Sequence, residues 1–469
     1  MSSAPIVSIN PSTEEVNATF DPANPAEIDH ALDRAAAAAR AWKATPLDER
    51  AQRLSDIAAI LRRDREQLAR HITTEMGKPL AEALAEVDKS AWCCDHYAEE
   101  GPKLLSDQYA QTSARESFVT FEPLGIVLAV MPWNFPLWQV FRFAPATLLS
   151  GNGIVLKHAS NVPQTALYLG ELFVRAGFPA GAFQTLLVGS DAVEAILTDP
   201  RVRAATLTGS EQAGRSIAAV AGRELKKTVL ELGGSDPFVV LPTADLDRAA
   251  QVATTARCQN NGQSCIAAKR FIVHTDVYDQ FVDAFVAHMS ALTVGDPMAA
   301  GTDVGPLATR SGREDIEEQV ADAVAKGATV RCGGQSPAGD GWWYPPTVIT
   351  DITPDMRIFS EEVFGPVAAV YRASSLDEAL ELANGSSFGL GANAWTDDPR
   401  EQQRLITELD AGAVFVNGMV TSYPQLPFGG VKNSGYGREL SAAGIREFCN
   451  LKAVWVGDSG ETSPGSATE

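Results

Sequence analysis

From position 125 onward the chain repeats one pattern: a short apolar run, a turn, then a helical stretch. The runs fall at 125–131, 153–157, 185–188 and 204–207. Strands this apolar cannot leave a face to water, and their alternation with helices predicts a parallel α/β sheet covered on both sides. Such sheets hold dinucleotides in the crevice beyond their carboxyl ends. The common GxGxxG fingerprint is absent. Instead Thr208-Gly209-Ser210-Glu211-Gln212-Ala213-Gly214 follows a strand and opens a helix, where backbone amides are available to a phosphate or a nicotinamide-side group.

A chain of 469 residues is too long for a single core. A second α/β segment follows Gly234, with strands over 237–241 and 270–274, helices over 246–258, 277–292, 316–326 and 376–384, and an extended stretch at 342–348. Ahead of the first sheet, Pro11-Ser12-Thr13-Glu14-Glu15 reads as the turn of a hairpin, and 26–42 as an amphipathic helix. Thr45-Pro46-Leu47-Asp48 reads as N-cap, first-turn proline and capping acid of a helix reaching about Arg63. Helices continue over 64–101, broken at Gly77-Lys78-Pro79, and 113–122 reads as a strand pair leaving the body. The polar tail from Gly457 buries too little apolar surface to order.

With 59 acidic against 38 basic residues, a net charge of −21, the surface repels nucleic acid and anionic membrane. An anionic substrate then needs a local cationic pocket. The six cysteines form no CxxC pair and no metal-ligand spacing, so no metal is expected. The N-terminus lacks a basic segment followed by an apolar one, and no apolar run nears membrane-spanning length, which together predict a cytoplasmic protein.

Four stretches carry the chemistry. In Arg257–Arg270, Cys265 follows Gly-Gln-Ser ahead of an apolar strand, where amides and a sulfur nucleophile can face one carbonyl carbon. Cys258 lies in the preceding helix and reads as packing. The other three are Pro132-Trp133-Asn134-Phe135-Pro136, Leu230-Glu231-Leu232-Gly233-Gly234 and Glu362-Val363-Phe364-Gly365-Pro366. Glu231 sits in an apolar run, where a carboxylate is costly. Asn134 alone would read as a turn residue.

In this order, across nearly the whole chain, these stretches resemble the aldehyde dehydrogenase superfamily, and the 34-residue step from Glu231 to Cys265 matches the family's. The resemblance implies a Rossmann-type cofactor domain, an α/β catalytic domain and a β oligomerisation arm. It makes Cys265 the nucleophile, the Asn134 amide and the Cys265 N–H the oxyanion donors, and Glu231 the base that activates water against a thioester. It turns Lys157 toward the adenosine ribose and phosphate and Glu362 toward the nicotinamide ribose. Phe364 then stands beside the ring, with Trp133, Gly209, Ser210 and Leu232 in the same cleft. Strictly NAD-using members carry glutamate three residues after that lysine. Here Ser160 stands there, removing repulsion against a 2′-phosphate, so NADP is favoured over NAD.

Within the family the chain is most similar to bacterial succinate-semialdehyde dehydrogenases. Arg142 matches an arginine those enzymes turn to the substrate carboxylate, and Ser422 matches their helping serine. By residue type alone, an arginine in that apolar segment is either buried in an ion pair or facing the substrate. Taken as a specificity residue, its replacement by alanine should damage only the carboxylate substrate. A further family arginine is Gln259 here, and Ala267 replaces the second cysteine of a disulfide switch found in some relatives. The alternatives are a broader aliphatic or aromatic aldehyde dehydrogenase and a catalytically retired structural protein on the same fold. The expected division is 1–102 with 125–232 and part of 434–450 for the cofactor, 233–433 for catalysis, 103–124 with 451–457 for the arm of a homodimer or homotetramer, and 458–469 as a disordered tail.

Overall fold

The strand–helix repeat forms the sheet it predicts. In the computed structural model, which describes residues 4–457, Ile126–Met131 lies between Gly153–His158 and Val202–Thr208. Phe183–Thr185 and Lys227–Glu231 extend the parallel sheet on either side, and Gly435–Tyr436 closes one edge antiparallel. Met131 pairs with His158 and Thr208 with Glu231, so the strands end together at one carboxyl edge. The strand order reverses at Ile126–Met131, which puts a ligand crevice beside it. The last strand comes earlier than 185–188 because the Leu187 carbonyl leaves the sheet to accept the Ala23 N–H at 2.8 Å. The expected disordered tail, 458–469, lies outside the described residues.

A second sheet has seven strands: Thr329–Cys332, Thr347–Thr350, Val367–Ala373, Ala268–His274, Asp236–Val240, Gly391–Trp395 and Ala413–Val416 in spatial order. All pairs are parallel except that of Thr329–Cys332. Helices Leu246–Cys258 and Leu376–Asn384 begin where the sequence places them because Asp245 and Ser375 accept the Arg248 and Glu378 N–H groups. The helix expected from 316 begins a turn and a half earlier, Arg310–Ala325, capped by Thr309.

Four helices, Pro25–Ala44, Leu47–Arg63, Arg65–Met76 and Leu80–Leu104, precede the first sheet. The first carries a capping box between Asn24 and Glu27. It runs on to Ala44, so the Thr45 hydroxyl bonds the Ala41 carbonyl behind it (3.3 Å) and does not cap the next helix as expected. The segment at 113–122, expected as a strand pair, holds a single strand whose partners come from elsewhere in the chain. Glu116–Pro123 pairs antiparallel with Cys449–Val456 and with Gln108–Tyr109 in a separate three-stranded sheet. Among the described residues no helix is long and apolar enough to cross a membrane.

Candidate active site

The cysteine loop turns on three consecutive left-handed residues, Asn260 (φ 59°), Asn261 (φ 56°) and Gly262 (φ 73°). Asn and Gly are the types that tolerate this conformation. Only glycine fits at 262, since a Cβ there would stand 2.4 Å from the Gly365 carbonyl carbon. The Asn260 amide donates to the Asn134 and Gln263 carbonyls at 2.8 and 2.9 Å, and Asn261 donates to Gly77 and Pro306. These bonds tie the cysteine loop to the Asn134 segment, and the close approach of Gly262 to Gly365 brings in a third motif. Gly234 makes a fourth contact: a Cβ would lie 2.6 Å from the Cys265 carbonyl oxygen.

Cys265 is half-buried on the common wall of two cavities. One, of about 720 Å³, is lined by Lys89, Trp138, Arg142 and Ser422 among others. The other, of about 590 Å³, is lined by Trp133, Asn134, Gly209, Ser210, Leu232, Glu362 and Phe364, with Thr208 and Gly233. Nearly every residue the sequence assigned to a cofactor therefore stands around one space. Lys157 and Ser160 do not line it; they lie where strand Gly153–His158 ends, Lys157 half-buried and Ser160 exposed.

Burial pushes the Cys265 thiol up to about 11, against the pull of Arg142 and Lys269. The resting sulfur is a thiol. The Asn134 side-chain amide donates one N–H to the Gln263 carbonyl at 3.0 Å, leaving its second hydrogen uncommitted. Trp133 and Phe364 meet edge to face, ring centroids 5.9 Å apart. Glu362 accepts the Gly234 N–H at 3.1 Å and pairs with Lys269 at 3.3 Å. The Lys269 ammonium also gathers the carbonyls of Ser264, Cys265 and Ala267 within 3.1 Å, fixing the loop from below. His158 is held as one neutral tautomer: its Nδ1 accepts the Ala159 N–H, so its Nε2 donates to the Pro136 carbonyl, and burial lowers it to about 4.

Arg142 is buried in an ion pair and also lines a cavity. The side chain lines the cavity that holds Lys89 and Ser422, yet its Nε bonds Glu439 in a buried ion pair, its Nη2 lies 3.3 Å from Thr208 Oγ1, and Phe428 covers its guanidinium at 4.1 Å. Glu231 is 2% exposed, and neither carboxylate oxygen has a partner among the described residues. Burial, then the neighbouring Glu439, raises it well above the usual carboxylate range. Its carboxyl lies toward Arg142 and Gly429 and lines neither cavity, so Cys265 and Asn134 are brought together while Glu231 stands behind. Cys258 packs its sulfur against that of Met289, as its place in the helix suggested.

Comparison with known proteins places the chain in a family. Residues 1–454 match the family model described as the aldehyde dehydrogenase family. The chain belongs to that family. It is 59% identical to the NADP(+) succinate-semialdehyde dehydrogenase of Mycobacterium avium (strain 104), over 99% of this chain and 100% of that one. The corresponding protein of Mycobacterium tuberculosis (strain ATCC 25618 / H37Rv) is also 59% identical, over 96% and 100%. Among solved structures, the succinic semialdehyde dehydrogenase of Streptococcus pyogenes in complex with NADP+ superposes with a TM-score of 0.94 at 38% identity, covering 97% of this chain and 100% of that one. The succinate-semialdehyde dehydrogenase of Burkholderia pseudomallei gives 0.94 at 37%, covering 97% and 95%.

Sequence reasoning missed four charged groups of this aldehyde dehydrogenase's site: Lys89, Glu86, Lys269 and Glu439. A signal for the first two exists. Positions 82, 86, 89, 93 and 97 form one helical stripe whose later members, Cys93 and Tyr97, are fully buried, so the charges at 86 and 89 also face inward. No comparable local signal marks Glu439, which reaches Arg142 across 297 residues.

Proposed function

We propose that this enzyme oxidises succinate semialdehyde to succinate with NADP. The observation that carries the reading is the place of Cys265, between a cavity with cationic and hydroxyl groups and a cavity walled by the expected cofactor residues. The names borne by relatives 59% identical over the whole chain support the same substrate and cofactor.

The residues present fit NADP. Lys157 ends a sheet strand without a carboxylate partner among the described residues, and position 160 is a serine. Ser210 caps helix Glu211–Arg223, whose N-terminus faces the same space. Lys157 and Ser160 would hold the 2′-phosphate and Glu362 the nicotinamide ribose, with Phe364 and Trp133 against the ring. When bound, NADP supplies the hydride acceptor.

Cys265 Sγ gives its proton to solvent water in the open cavity and, as thiolate, bonds the aldehyde carbon, leaving an alkoxide that faces the second Asn134 N–H and the Cys265 backbone N–H. Departure of hydride restores the C=O as a thioester. Glu231 rotates from its place beside Arg142 and takes a proton from water. The hydroxide adds to the thioester carbon, the S–C bond breaks, and Cys265 recovers its thiol as the carboxylate leaves. Burial, which raises this carboxyl, makes it a stronger base than an exposed glutamate, and that suits the step.

The same reading includes the division into cofactor, catalytic and arm segments given by the sequence, supported by the separate six-, seven- and three-stranded sheets. It includes a cytoplasmic homo-oligomer, supported by six unpaired cysteines and by an arm strand with one edge open. Initial rates with succinate semialdehyde, butanal and benzaldehyde, each with NADP and NAD, test it. The expected result is the highest kcat/KM for succinate semialdehyde with NADP. Equal rates for the three aldehydes would favour a broad-specificity enzyme, and no turnover of any would favour a retired one.

A further inference from the structure

The substrate-side cavity holds a second cation that the mechanism does not use. Lys89, on helix Leu80–Leu104, is half-buried, with its Nζ 3.0 Å from Ser422 Oγ and 4.4 Å from the centre of the Trp138 ring. Among the described residues no carboxylate lies within ion-pair distance of it, whereas Arg142 on the same wall is neutralised by Glu439. Ser422 Oγ accepts from Lys89 and, at 2.9 Å, from Trp138 Nε1. A hydroxyl has two acceptor sites and one proton. With both acceptors taken, its proton is left to donate, and the ammonium keeps donors of its own.

Two acidic residues share this cavity, and neither competes for Lys89. One Glu86 oxygen takes the Leu137 and Trp138 N–H groups at 2.8 and 2.9 Å, and the other pairs with Lys78. Glu82 accepts the Asn260 N–H at 2.8 Å, and burial raises it to about 7. What remains is an unpaired ammonium beside a hydroxyl donor, in a pocket that the nucleophile also lines.

We propose that Lys89, together with the Ser422 hydroxyl, binds the distal carboxylate of the aldehyde and so selects a carboxylate-bearing aldehyde over an uncharged one of equal length. The assignment rests on the reading of an anionic substrate, and it moves the selecting charge from Arg142 to Lys89. Arg142 then serves to hold Glu439 and to place a positive charge near Cys265 and Glu231.

The test compares succinate semialdehyde with butanal, the same four-carbon chain without the carboxylate. Wild-type preference for succinate semialdehyde tests the substrate reading by itself. Given that preference, Lys89→Met should lower the ratio of the two kcat/KM values about 10- to 100-fold, mainly through KM, and Lys89→Arg should restore most of it. A ratio unchanged in Lys89→Met overturns the assignment, and a wild type that prefers butanal overturns both readings. Should Lys89→Met fail to fold, succinate inhibition of butanal oxidation by the wild type gives the answer. Burial and Arg142 lower Lys89 to about 8, against Cys93 and Glu86; of the other facing segments, one brings Cys265 and the loop at 420–422 brings no ionisable group. The succinate inhibition constant should therefore rise about tenfold or more from pH 7 to 9, as the ammonium is lost and Glu82, raised to about 7 in the same cavity, completes its ionisation. A flat constant overturns the proposal.

Discussion

At the scale of single residues, the site is governed by how burial divides charge. Cys265 is raised to about 11 by burial, so its reactive thiolate is scarce at neutral pH and grows as pH rises. Inactivation of the cofactor-free enzyme by iodoacetamide should accelerate about tenfold per pH unit between 7 and 9. A plateau below pH 8 would mean that Arg142 and Lys269 hold the thiolate more strongly than burial opposes it. Arg142 makes the opposite case. Its ion pair with Glu439 is buried beside a Glu231 that already lacks partners, so Arg142→Ala would leave two carboxyls without their cation. The expected outcome is a loss of about 100-fold or more in kcat on every aldehyde, contrary to the selective loss the sequence suggested. Kinetics on succinate semialdehyde and butanal distinguish the two, since a selective loss would return the specificity role to Arg142.

At the scale of elements, what could be read from the sequence was what neighbouring residues decide. Helices 246–258 and 376–384 match to the residue because Asp245 and Ser375 carry their start signal beside them. The cysteine loop was legible because Gly-Gln-Ser ahead of Cys265 and the apolar strand behind it are local. Helix Pro163–Arg175 shows what was not: it has no side-chain cap of its own. Its start is held from another helix by Glu75, which accepts the Gln164 and Thr165 N–H groups at 2.8 and 3.0 Å and the Thr165 hydroxyl at 2.7 Å. Glu439 escaped for the same reason, since its partner Arg142 comes from a distant segment. Glu75→Ala should cost about 3 kcal/mol locally by leaving these buried donors unpaired. Hydrogen exchange over 163–175 should then quicken about 100-fold, and NADP affinity should fall with it, because the helix follows Lys157 and Ser160 directly. Unchanged exchange there would show that the helix start does not depend on Glu75.

At the scale of the whole molecule, an acidic chain with net charge −21 leaves one surface with little charge to repel a copy of itself. Strand Cys449–Val456 lies at the edge of the arm sheet, and Leu451 and Trp455 on one of its faces are 59% and 54% exposed. Their cross-strand neighbours are Phe121 and Ser117, so the apolar surface continues onto Glu116–Pro123. An open eight-residue edge with an apolar face invites pairing, and native monomers blunt such edges with charge. Only Lys452 supplies a charge within the strand, and it is paired to Glu122 at 2.6 Å. Light scattering should therefore report a mass of at least twice 49.9 kDa for the wild type. Leu451→Asp with Trp455→Asp should reduce it toward a single chain, because a carboxylate at the edge cannot be desolvated without a partner. If the variant keeps the wild-type mass, the copies meet through some other surface and the arm's edge stays open to water.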